Sequence, residues 1–548
     1  MIDDPIPGVS NGRSPTVRIG DLLDCMLDAD TFAGWPTAGE SVVATGDALS
    51  PGSGHEMPVL TGEGCVFGQP VAVIATRFEA FGGTIGVVEG EQLSQALARA
   101  SDARLPLLVV LASGGVRLQE GTAGFMQLAK ITAALTALRS RGLPYIVYLA
   151  GPSFGGAQLA LGSLGHVTLA APGALVGFVG PKVYEVLRGE PLAGETQQAE
   201  VLVAHGLVDA VVAKEDVRAY LARLLAVLSP ANVGEHAGAM PSGAGGAFGI
   251  ARTRVVCGSP GGVAVGLKHV EPATTWASVT RTREPDRPGL RELVGLALDE
   301  LTELHGSGFA EEDDPSMFLA LGRIASTPVV VIGHDRGAAS RRPRASGLRK
   351  ARRGLALANE LGLAVVTIID TPGPELDEST ERDGFVFELG RCLAAFVGLD
   401  TPTLSVLLGQ GAGGTALALL PADRVLCAEW AWLAPMPPEG SAVVLHGTAE
   451  RAAEVAVTQR VASWALLEDG IVDEVVVEGG TVSGEVFVSQ MAEAMTAALD
   501  SLVSMDPTAR RSARVRRYRR FGTSIRQQPS KVAGLTDGVH RTCDTVLT

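Results

Sequence analysis

The chain contains an internal repeat, and this repeat constrains the fold more than any other feature of the sequence. Pro70 is followed by VAVIA, and Pro328 is followed by VVVIG. The same spacing, called the repeat offset below, separates Pro144, before YIVYLAG, from Pro402, before TLSVLLG. Self-similarity at a fixed offset indicates a duplicated unit. We therefore expect two copies of one domain in tandem.

Farther along the chain the matching segments are spaced slightly wider than the repeat offset. GLVDAVV, from Gly206, matches GIVDEVV, from Gly470, so the second copy carries a short insertion before this segment. The order of the matching segments is kept. We expect a first domain at residues 1–230, a Gly/Ser/Pro-containing linker at 231–272, a second domain at 273–520 and a tail at 521–548.

Within each copy, short apolar runs alternate with longer amphipathic stretches. LPLLVVLAS, from Leu105, and LAVVTIID, from Leu363, are continuous apolar runs typical of strands buried on both faces. GFMQLAKITAALTALRSRG, from Gly124, and RKARRGLALANELG, from Arg349, have apolar residues near helical spacing and a glycine at the end. Strands that alternate with helices predict an α/β fold with covered sheets and right-handed crossovers.

Composition and charge exclude several classes of function. The 548 residues are 46% hydrophobic and 19% charged, as in a compact globular protein, and the net charge of -15 argues against nucleic acid as the main partner. There is no run of about 20 apolar residues and no basic-plus-apolar leader, so we expect no membrane span and a cytoplasmic location. The six cysteines are isolated, which predicts neither a zinc site nor a disulfide framework.

Glycine pairs follow buried strands and precede helices in both copies. They are Gly114 and Gly115 in ASGGVRLQEG, Gly155 and Gly156 in PSFGGAQLAL, and Gly413 and Gly414, after Gly411 and Ala412, in GQGAGGTALAL. Glycine lets a ligand approach the backbone, and a helix start presents unpaired N–H groups and a positive dipole end. Such turns can stabilise an oxyanion such as an enolate or a ureido oxygen. Close helix–strand packing explains most such pairs taken singly; the duplication favours the anion site.

Other polar residues give weaker signals. Glu120 in LQEG and Glu439, followed by Gly440, in PPEG are candidates either to assist a site or to cap a helix or turn. His166 lies between apolar runs, and we expect it to be structural. The segment Arg510–Arg520 carries seven arginines, which predicts either a solvated helix or a docking surface for phosphate or a partner.

The segments around these residues resemble a known family. ASGGVRLQEGTAGFMQLAKITAAL and LAAPGALVGFVGPKVYEVLRGE are similar to segments of the β subunit of bacterial acetyl-CoA carboxylase carboxyltransferase. VVVIGHDRG, LAVVTIIDTPG, GQGAGGTALAL, PPEG and RVRRYRRFG are similar, in this order, to segments of its α subunit. The resemblance extends over most of the chain. It implies the two subunits fused in one chain, as two tandem crotonase-like ββα-spiral domains of the α/β class related by duplication.

The resemblance also implies a reaction. A carboxyl group would pass from carboxybiotin on a separate carrier protein to the α-carbon of an acyl-CoA, giving malonyl-CoA or a substituted malonyl-CoA, with no metal. The first half would bind acyl-CoA and the second would receive biotin. The implied catalytic amides are those of Gly114 and Gly115, for the thioester enolate, and of Gly413 and Gly414, for the ureido oxygen. The implied substrate-binding positions are Gly82, Gly83, Gly155, Gly156, Gly411, Ala412, Glu439 and Gly440.

Departures from the family pattern bear on the partners. The chain has no four-cysteine zinc ribbon, and AFGGTIG, from Ala80, stands where the family has FMGGSMG, so the preferred acyl group stays open. It has neither an MKM biotinylation motif nor an ATP-grasp-like domain. We therefore expect a biotin carboxylase and a biotin carboxyl carrier protein in trans, and a homodimer or larger assembly of this chain.

Three further points stay open at the level of sequence. SRRPRASGLRKA replaces the family's NFGMPAPEGYRKA and leaves a basic cluster that either contacts CoA phosphates or a carrier or is a solvated face: Arg341, Arg342, Arg344, Arg349, Lys350, Arg352 and Arg353. A biotin-independent malonyl-thioester decarboxylase would use the same oxyanion holes. A non-catalytic scaffold subunit would need only the duplicated fold.

Overall fold

The computed structural model describes residues 18–36, 57–192, 196–228, 272–308, 313–337, 342–478 and 484–521. The expected linker and tail therefore lie almost wholly outside the described residues. The strands of the first half are β1 Ala33–Gly34, β2 Val59–Val66, β3 Gln69–Thr76, β4 Leu107–Ser113, β5 Tyr145–Phe154, β6 Val167–Ala170, β7 Val176–Gly177 and β8 Ala210–Val211. Its helices are α1 Ile19–Met26, α2 Val87–Asp102, α3 Gly121–Ser140, α4 Gly155–Ala160, α5 Pro181–Arg188, α6 Ala199–Ala204 and α7 Lys214–Leu228.

The second half repeats this order of elements. Its strands are β9 Asp299–Glu303, β10 Met317–Ile324, β11 Thr327–His334, β12 Ala364–Thr371, β13 Thr403–Ala412, β14 Arg424–Ala428, β15 Trp432–Ala434 and β16 Glu474–Val476. Its helices are α8 Pro272–Arg281, α9 Leu290–Ala297, α10 Ala345–Leu361, α11 Glu378–Arg382, α12 Phe385–Val397, α13 Gly413–Leu417, α14 Pro438–His446, α15 Ala452–Thr458, α16 Ser463–Glu468, α17 Gly484–Ser504 and α18 Pro507–Arg520.

The two halves form eight-stranded sheets with the same strand order. The first sheet runs β1-β2-β3-β4-β5-β6-β8, with β7 paired to β5, and the second runs from β9 to β16 in the matching order, with β15 paired to β13. The strands beyond β3 and β11 pair in parallel, whereas β2 with β3 and β10 with β11 are antiparallel. The α/β class and the internal duplication predicted from the repeat are confirmed.

The central strands are apolar throughout because both faces of each sheet are covered. In β4, Val109 and Leu111 join the core cluster that contains α2 and α3 residues, whereas Leu108 and Val110 join the cluster that contains α1 and α7 residues. Successive side chains of a strand point to opposite faces, so a strand buried on both sides must be apolar at every position. This is why LPLLVVLAS shows no alternation of apolar and polar residues.

The halves also pack against each other through related contacts. Helix α12 of the second half lies against α3 and α4 of the first, and one core cluster contains residues of both. Gln459 accepts a hydrogen bond from Thr122 N at 3.2 Å and donates to Leu118 O at 2.9 Å. Gln197 of the first half donates to Glu381 of the second half at 2.9 Å. Each half therefore contributes a glutamine side chain that donates to the other half.

The arginine-rich helix α18 is docked onto the protein. Arg514 is 3% exposed and donates to Asp423 at 2.5 and 2.7 Å. Arg510 is 4% exposed, and Gln127 of α3 donates to Phe521 O at 3.1 Å just past the helix. The expectation of a solvated or ligand-docking face is wrong for these buried arginines, because backbone and carboxylate oxygens of the chain itself are their partners.

Candidate active site

The two glycine turns of the first half meet where β4 and β5 end. These strands pair in parallel, so their carboxyl ends lie at the same edge of the sheet. A Cβ atom added to Gly115 would lie 3.3 Å from Gly156 N and 3.2 Å from Phe154 O. Gly115 has φ 109°, a conformation that other residues rarely adopt. The sequence needs glycine here because two backbone turns approach each other closely.

Strand pairing determines which amides of the second turn stay available. β5 pairs with β7 as far as Phe154, and β13 pairs with β15 as far as Ala412. Gly156 and Gly414 therefore lie just beyond the last paired strand residue, in the first turns of α4 and α13. N–H groups in the first turn of a helix have no intrahelical acceptor. These two amides occupy equivalent positions at helix starts, where an anion is favoured.

The first turn is held by its own hydrogen bonds. Gly114 N donates to Gly82 O at 2.8 Å, and Gly115 N donates to Ser113 Oγ at 3.1 Å. Ser113 Oγ in turn donates to Gly83 O at 2.7 Å. The carbonyl oxygens of Gly82 and Gly83 thus accept the hydrogen bonds that hold this turn. The expectation that the N–H groups of Gly114 and Gly115 are free for an enolate is corrected, because each already has an acceptor within the protein.

The second half contains an equivalent turn that the sequence analysis missed. Gly373 N donates to Thr371 Oγ1 at 3.2 Å, which repeats the bond between Gly115 and Ser113 at the repeat offset. Gly373 has φ 96°, and a Cβ there would lie 3.6 Å from Ala412 Cβ. It stands alone in DTPG and forms no glycine pair. The repeat offset from Gly115 was the signal that could have identified it.

The remaining glycines of the second turn have different roles. A Cβ on Gly411 would lie 2.5 Å from Trp432 O, so close backbone packing alone requires glycine there. At Gly413 the nearest atom to such a Cβ, Pro435 O, is at an ordinary contact distance of 3.5 Å, so the φ of 68° favours glycine there and crowding does not. The Cβ position of Gly414 lies against the flank of α4 of the first half, 3.2 Å from Leu159 Cδ1.

Glu120 serves the structure of the first half. Its Oε2 accepts Val87 N at 2.5 Å at the start of α2, and its Oε1 pairs with Arg117 at 3.1 Å. Arg117 also pairs with Glu89 at 3.0 Å. Burial raises the pKa of Glu120, against the opposing charge of Arg117. Of the two interpretations of Glu120, the geometry favours the cap, because both carboxylate oxygens are engaged around a helix start.

Glu439 and His166 also have local partners. Arg283 donates to both oxygens of Glu439 at 2.6 and 3.1 Å. Partial burial would raise the pKa of Glu439, but the bonds from Arg283 outweigh it and the pKa is lowered. Gly440 lies beside α5, with Leu187 Cδ2 3.4 Å from its Cβ position. His166 Nδ1 accepts Tyr145 N at 3.0 Å, which is the structural role expected for it.

A carboxylate of the second half, Glu381, holds a loop of the first half-site. It accepts Phe178 N at 2.8 Å, Val179 N at 3.1 Å and Gln197 Nε2 at 2.9 Å. Phe178 O lies 3.6 Å from the Cβ position of Gly155. Burial raises the pKa of Glu381 to about 7, against the hydrogen bonds from the two backbone amides. Sequence reasoning missed Glu381 because its partners belong to the other copy of the repeat.

The basic cluster is mostly engaged within the chain. Lys350 is 2% exposed and pairs with Asp313, and Arg352 pairs with Glu388 at 2.7 Å. Arg341 lies outside the described residues. A cavity of about 450 Å³ between α10 and α12 is lined by Arg349, Arg352, Arg353, Asn359, Ser307 and small apolar residues. The residues that line this cavity do not include the turn glycines. Arg342 of the same cluster, however, donates to Pro374 O, next to Gly373, at 3.4 Å.

In the described ranges, no helix combines the length and apolarity needed to cross a bilayer. In the same ranges, no group of three or more His, Cys, Asp and Glu side chains is arranged to hold a metal ion.

Comparison with known proteins gives the family. The model of acetyl co-enzyme A carboxylase carboxyltransferase-like proteins matches residues 267–522, and that of the carboxyl transferase domain matches residues 24–243. The chain is 40% identical, over 516 residues, to a protein of Mycobacterium tuberculosis named "Probable biotin-dependent acyl-coenzyme A carboxylase beta3 subunit", covering 92% of this chain and 99% of that protein. It belongs to the carboxyltransferases of biotin-dependent acyl-CoA carboxylases.

A second relative of this carboxyltransferase is named for both subunits. It is 33% identical to the acetyl-coenzyme A carboxylase carboxyl transferase subunits beta/alpha of Saccharopolyspora erythraea, over 92% of this chain and 89% of that protein. Among solved structures, it is similar to transcarboxylase 12S, with a TM-score of 0.36, 20% identity and coverage of 89% of this chain and 90% of that one. The resemblance found in the sequence, with β-like and α-like halves in one chain, is confirmed by the family models and the curated relatives.

Proposed function

We propose that the first half of this carboxyltransferase binds an acyl-CoA and that the second half binds the carboxybiotin of a carrier protein. The observation that supports this proposal most is the matched pair of half-sites. Each has a glycine turn after the fourth strand of its half and a second turn at the start of a short helix. The family models support this assignment, because the carboxyl transferase model matches the first half and the α-like model the second. The proposed domain boundaries are those expected from the repeat.

The chemistry follows from the backbone amides. Gly156 N–H would hold the thioester oxygen as it becomes an enolate, with Gly115 beside it, and Gly414 N–H would hold the ureido oxygen, with Gly413 and Gly373 beside it. Carboxybiotin supplies the carboxyl group and, after losing it, a ureido nitrogen that can take up the α-proton. Each well-placed donor lowers the barrier by about 2.7–4 kcal/mol. No side-chain base of this chain is needed for the step.

We also propose that two copies of the chain complete each active site. Within one chain, the Cβ position of Gly414 lies against side chains of Leu389 in α12 and Leu159 in α4, in a packed contact between the halves. A second copy could place the first half of one chain opposite the second half of the other. A twofold dimer creates two such sites at once.

The first experiment tests the reaction. The purified chain is incubated with malonyl-CoA and free biotin, and the formation of acetyl-CoA is followed with and without biotin; methylmalonyl-CoA and longer analogues rank the acyl preference. Biotin-dependent loss of the carboxyl group supports transfer. Equal turnover without biotin would establish the decarboxylase. No turnover, together with malonyl-CoA binding that Gly156→Val leaves unchanged, would favour the scaffold. A cytoplasmic location stays a prediction of the sequence.

The second experiment tests the shared site. Gly156→Val inactivates the first half-site and Gly414→Val the second, since a Cβ at either position would lie under 3 Å from side-chain methyl groups. Unfolded and remixed at equal amounts, the two variants form mixed dimers in about half of the population, and each mixed dimer has one intact site of two. Activity near a quarter of the wild-type value is expected. A mixture as inactive as its components would rule out sharing between copies.

A further inference from the structure

A buried carboxylate lies directly behind the second half-site. Asp370 sits at the register shift between β12 and β13, and its side chain is fully buried. Its Oδ1 accepts Gln410 N at 2.9 Å. A Cβ on Gly409 would overlap the same carboxylate, so that position must be glycine. Asp370 therefore contacts β13 at Gly409 and Gln410, shortly before the strand ends at the turn that contains Gly414.

Two arginines hold this carboxylate and the same stretch of strand. Arg336 Nε lies 3.6 Å from Asp370 Oδ2, and its other nitrogens donate to Thr282 O at 2.6 Å and Arg287 O at 2.7 Å. Arg287 donates to Leu408 O at 2.7 Å and is itself paired with a glutamate. Two side chains therefore hydrogen-bond to the backbone of β13: Arg287 donates to Leu408 O, and Asp370 accepts Gln410 N.

The first half has no such arrangement at the equivalent positions. At the repeat offset, Ala112 replaces Asp370, Phe78 replaces Arg336 and Pro152 replaces Gln410. Proline has no N–H group, so the first half has no donor that would need a carboxylate. Gly151 there meets only Ala112 Cβ, 3.6 Å from its own Cβ position. The ion pair therefore belongs to one half-site alone.

Global stability does not explain a buried ion pair in one copy only. Removing two charges from water costs about as much free energy as their attraction returns, and apolar residues of similar volume are often as stable. The first half, with Ala112 and Phe78, shows that this fold is complete without the pair. What the pair adds is a fixed backbone position. Asp370 accepts Gln410 N of β13, and Arg336 donates to the backbone oxygen of Arg287, whose own guanidinium donates to Leu408 O of the same strand.

We propose that Asp370, held by Arg336, is a positioning residue for the biotin-side half-site. It sets the end of β13, so that Gly414 N–H stays where negative charge develops on the ureido oxygen. This inference rests on the proposed function of the second half. Misplacement of a donor by a fraction of an ångström weakens an oxyanion contact steeply, which is why a residue that touches no substrate can control the rate.

The test compares Asp370→Asn and Asp370→Ala with the wild-type enzyme, using malonyl-CoA and free biotin. Asparagine keeps an oxygen for Gln410 N and loses the charge, whereas alanine removes both. We expect kcat/KM for biotin to fall about 10-fold in the first variant and about 100-fold in the second. KM for malonyl-CoA should change less than about 2-fold in both. The matched control is Thr76→Val in the first half, where the hydroxyl bridges Ala112 N and O at 2.7 and 2.9 Å; it should affect KM for malonyl-CoA and spare biotin.

Hydrogen–deuterium exchange gives a second readout that does not depend on turnover. Exchange of residues 408–414 should accelerate in Asp370→Asn, while residues 150–156 keep their wild-type rate. Equal effects on both substrates, or unchanged biotin kinetics with unchanged exchange, would overturn the inference. Failure of the proposed function is distinct from these outcomes, because it would already be visible as biotin-independent turnover of the wild type.

Discussion

The buried carboxylate between the two halves, Glu381, makes a prediction that can be worked through quantitatively. Its oxygens accept N–H groups of Phe178, Val179 and Gln197, all from the first half. The perturbation is Glu381→Gln, which keeps an oxygen acceptor and removes the titration. The new amide nitrogen can donate to Gln197 Oε1, a buried atom that has no hydrogen-bond partner among the described residues. The variant should therefore fold with the loop at the first glycine turn in place.

The size of the expected change in the free energy of unfolding follows from the pKa of Glu381. Burial raises the pKa of Glu381 from an ordinary value of 4.5 to about 7. The folded state then binds the proton more tightly than the unfolded state, so this stabilisation is present below about pH 4.5 and is lost as the pH rises through about 7. The loss amounts to about 3 kcal/mol, since one unit of pKa corresponds to about 1.4 kcal/mol. The glutamine variant does not incur it, and its stability relative to wild type should rise by about this amount.

Urea unfolding between pH 5 and pH 8.5 measures this difference. The free energy of unfolding of Glu381→Gln minus that of wild type should increase with pH across this range. Glu378→Gln is the matched control on the same helix, because Glu378 is 38% exposed and 3.6 Å from Arg382; its difference from wild type should stay flat. If the Glu381→Gln difference is equally flat, the carboxylate is ionised throughout, and its N–H contacts outweigh its burial.

Two further predictions concern the missed glycine and the docked helix. Gly373→Ala should reduce biotin-dependent transfer by about 10-fold or more, because alanine is strained at φ 96° and would shift the turn. Gly362→Ala, at a helix end with nothing within 4 Å, should leave kinetics unchanged, and equal losses in both would refute a site role. Arg514→Met should lower the free energy of unfolding by about 3 kcal/mol, because it removes the nearer of the two arginines that pair with buried Asp423 and leaves Arg510 at 3.5 Å. The exposed Arg516→Met should change it by less than about 0.5 kcal/mol in thermal or urea unfolding; similar values for the two would show that α18 is not docked.

The sequence was sufficient for the architecture because the signals involved are local or repeated. Apolar runs at Leu105 and Leu363 became β4 and β12, and the repeat offset carried the order of one sheet onto the other. The glycine pairs could be found for the same reason, since a turn between a strand and a helix leaves its mark in a few adjacent residues. Family resemblance added the reaction.

The availability of individual amides could not be predicted from the sequence. Gly114 and Gly156 both stand in GG pairs, yet Gly114 N–H is used by Gly82 O, whereas Gly156 lies beyond the ladder between β5 and β7. That distinction depends on strand register and on the loop that contains Gly82, which precedes α2 and contacts the turn at Gly114. The arginines of α18 were misjudged for a related reason, because Asp423, which neutralises Arg514, is 91 positions away.

Comparison of the two copies separates what the half-sites share from what each one needs. Both keep a hydroxyl that accepts the amide of the equivalent turn glycine, Ser113 in one half and Thr371 in the other. Both substrates develop negative charge on a carbonyl oxygen, so a common backbone device is expected. Only the second half places a charge, Asp370, behind its turn. Under the proposed assignment of the halves, the thioester would arrive anchored by a long CoA moiety and the ureido group would arrive on a carrier. The biotin side would then gain more from a backbone that is rigid before its substrate binds.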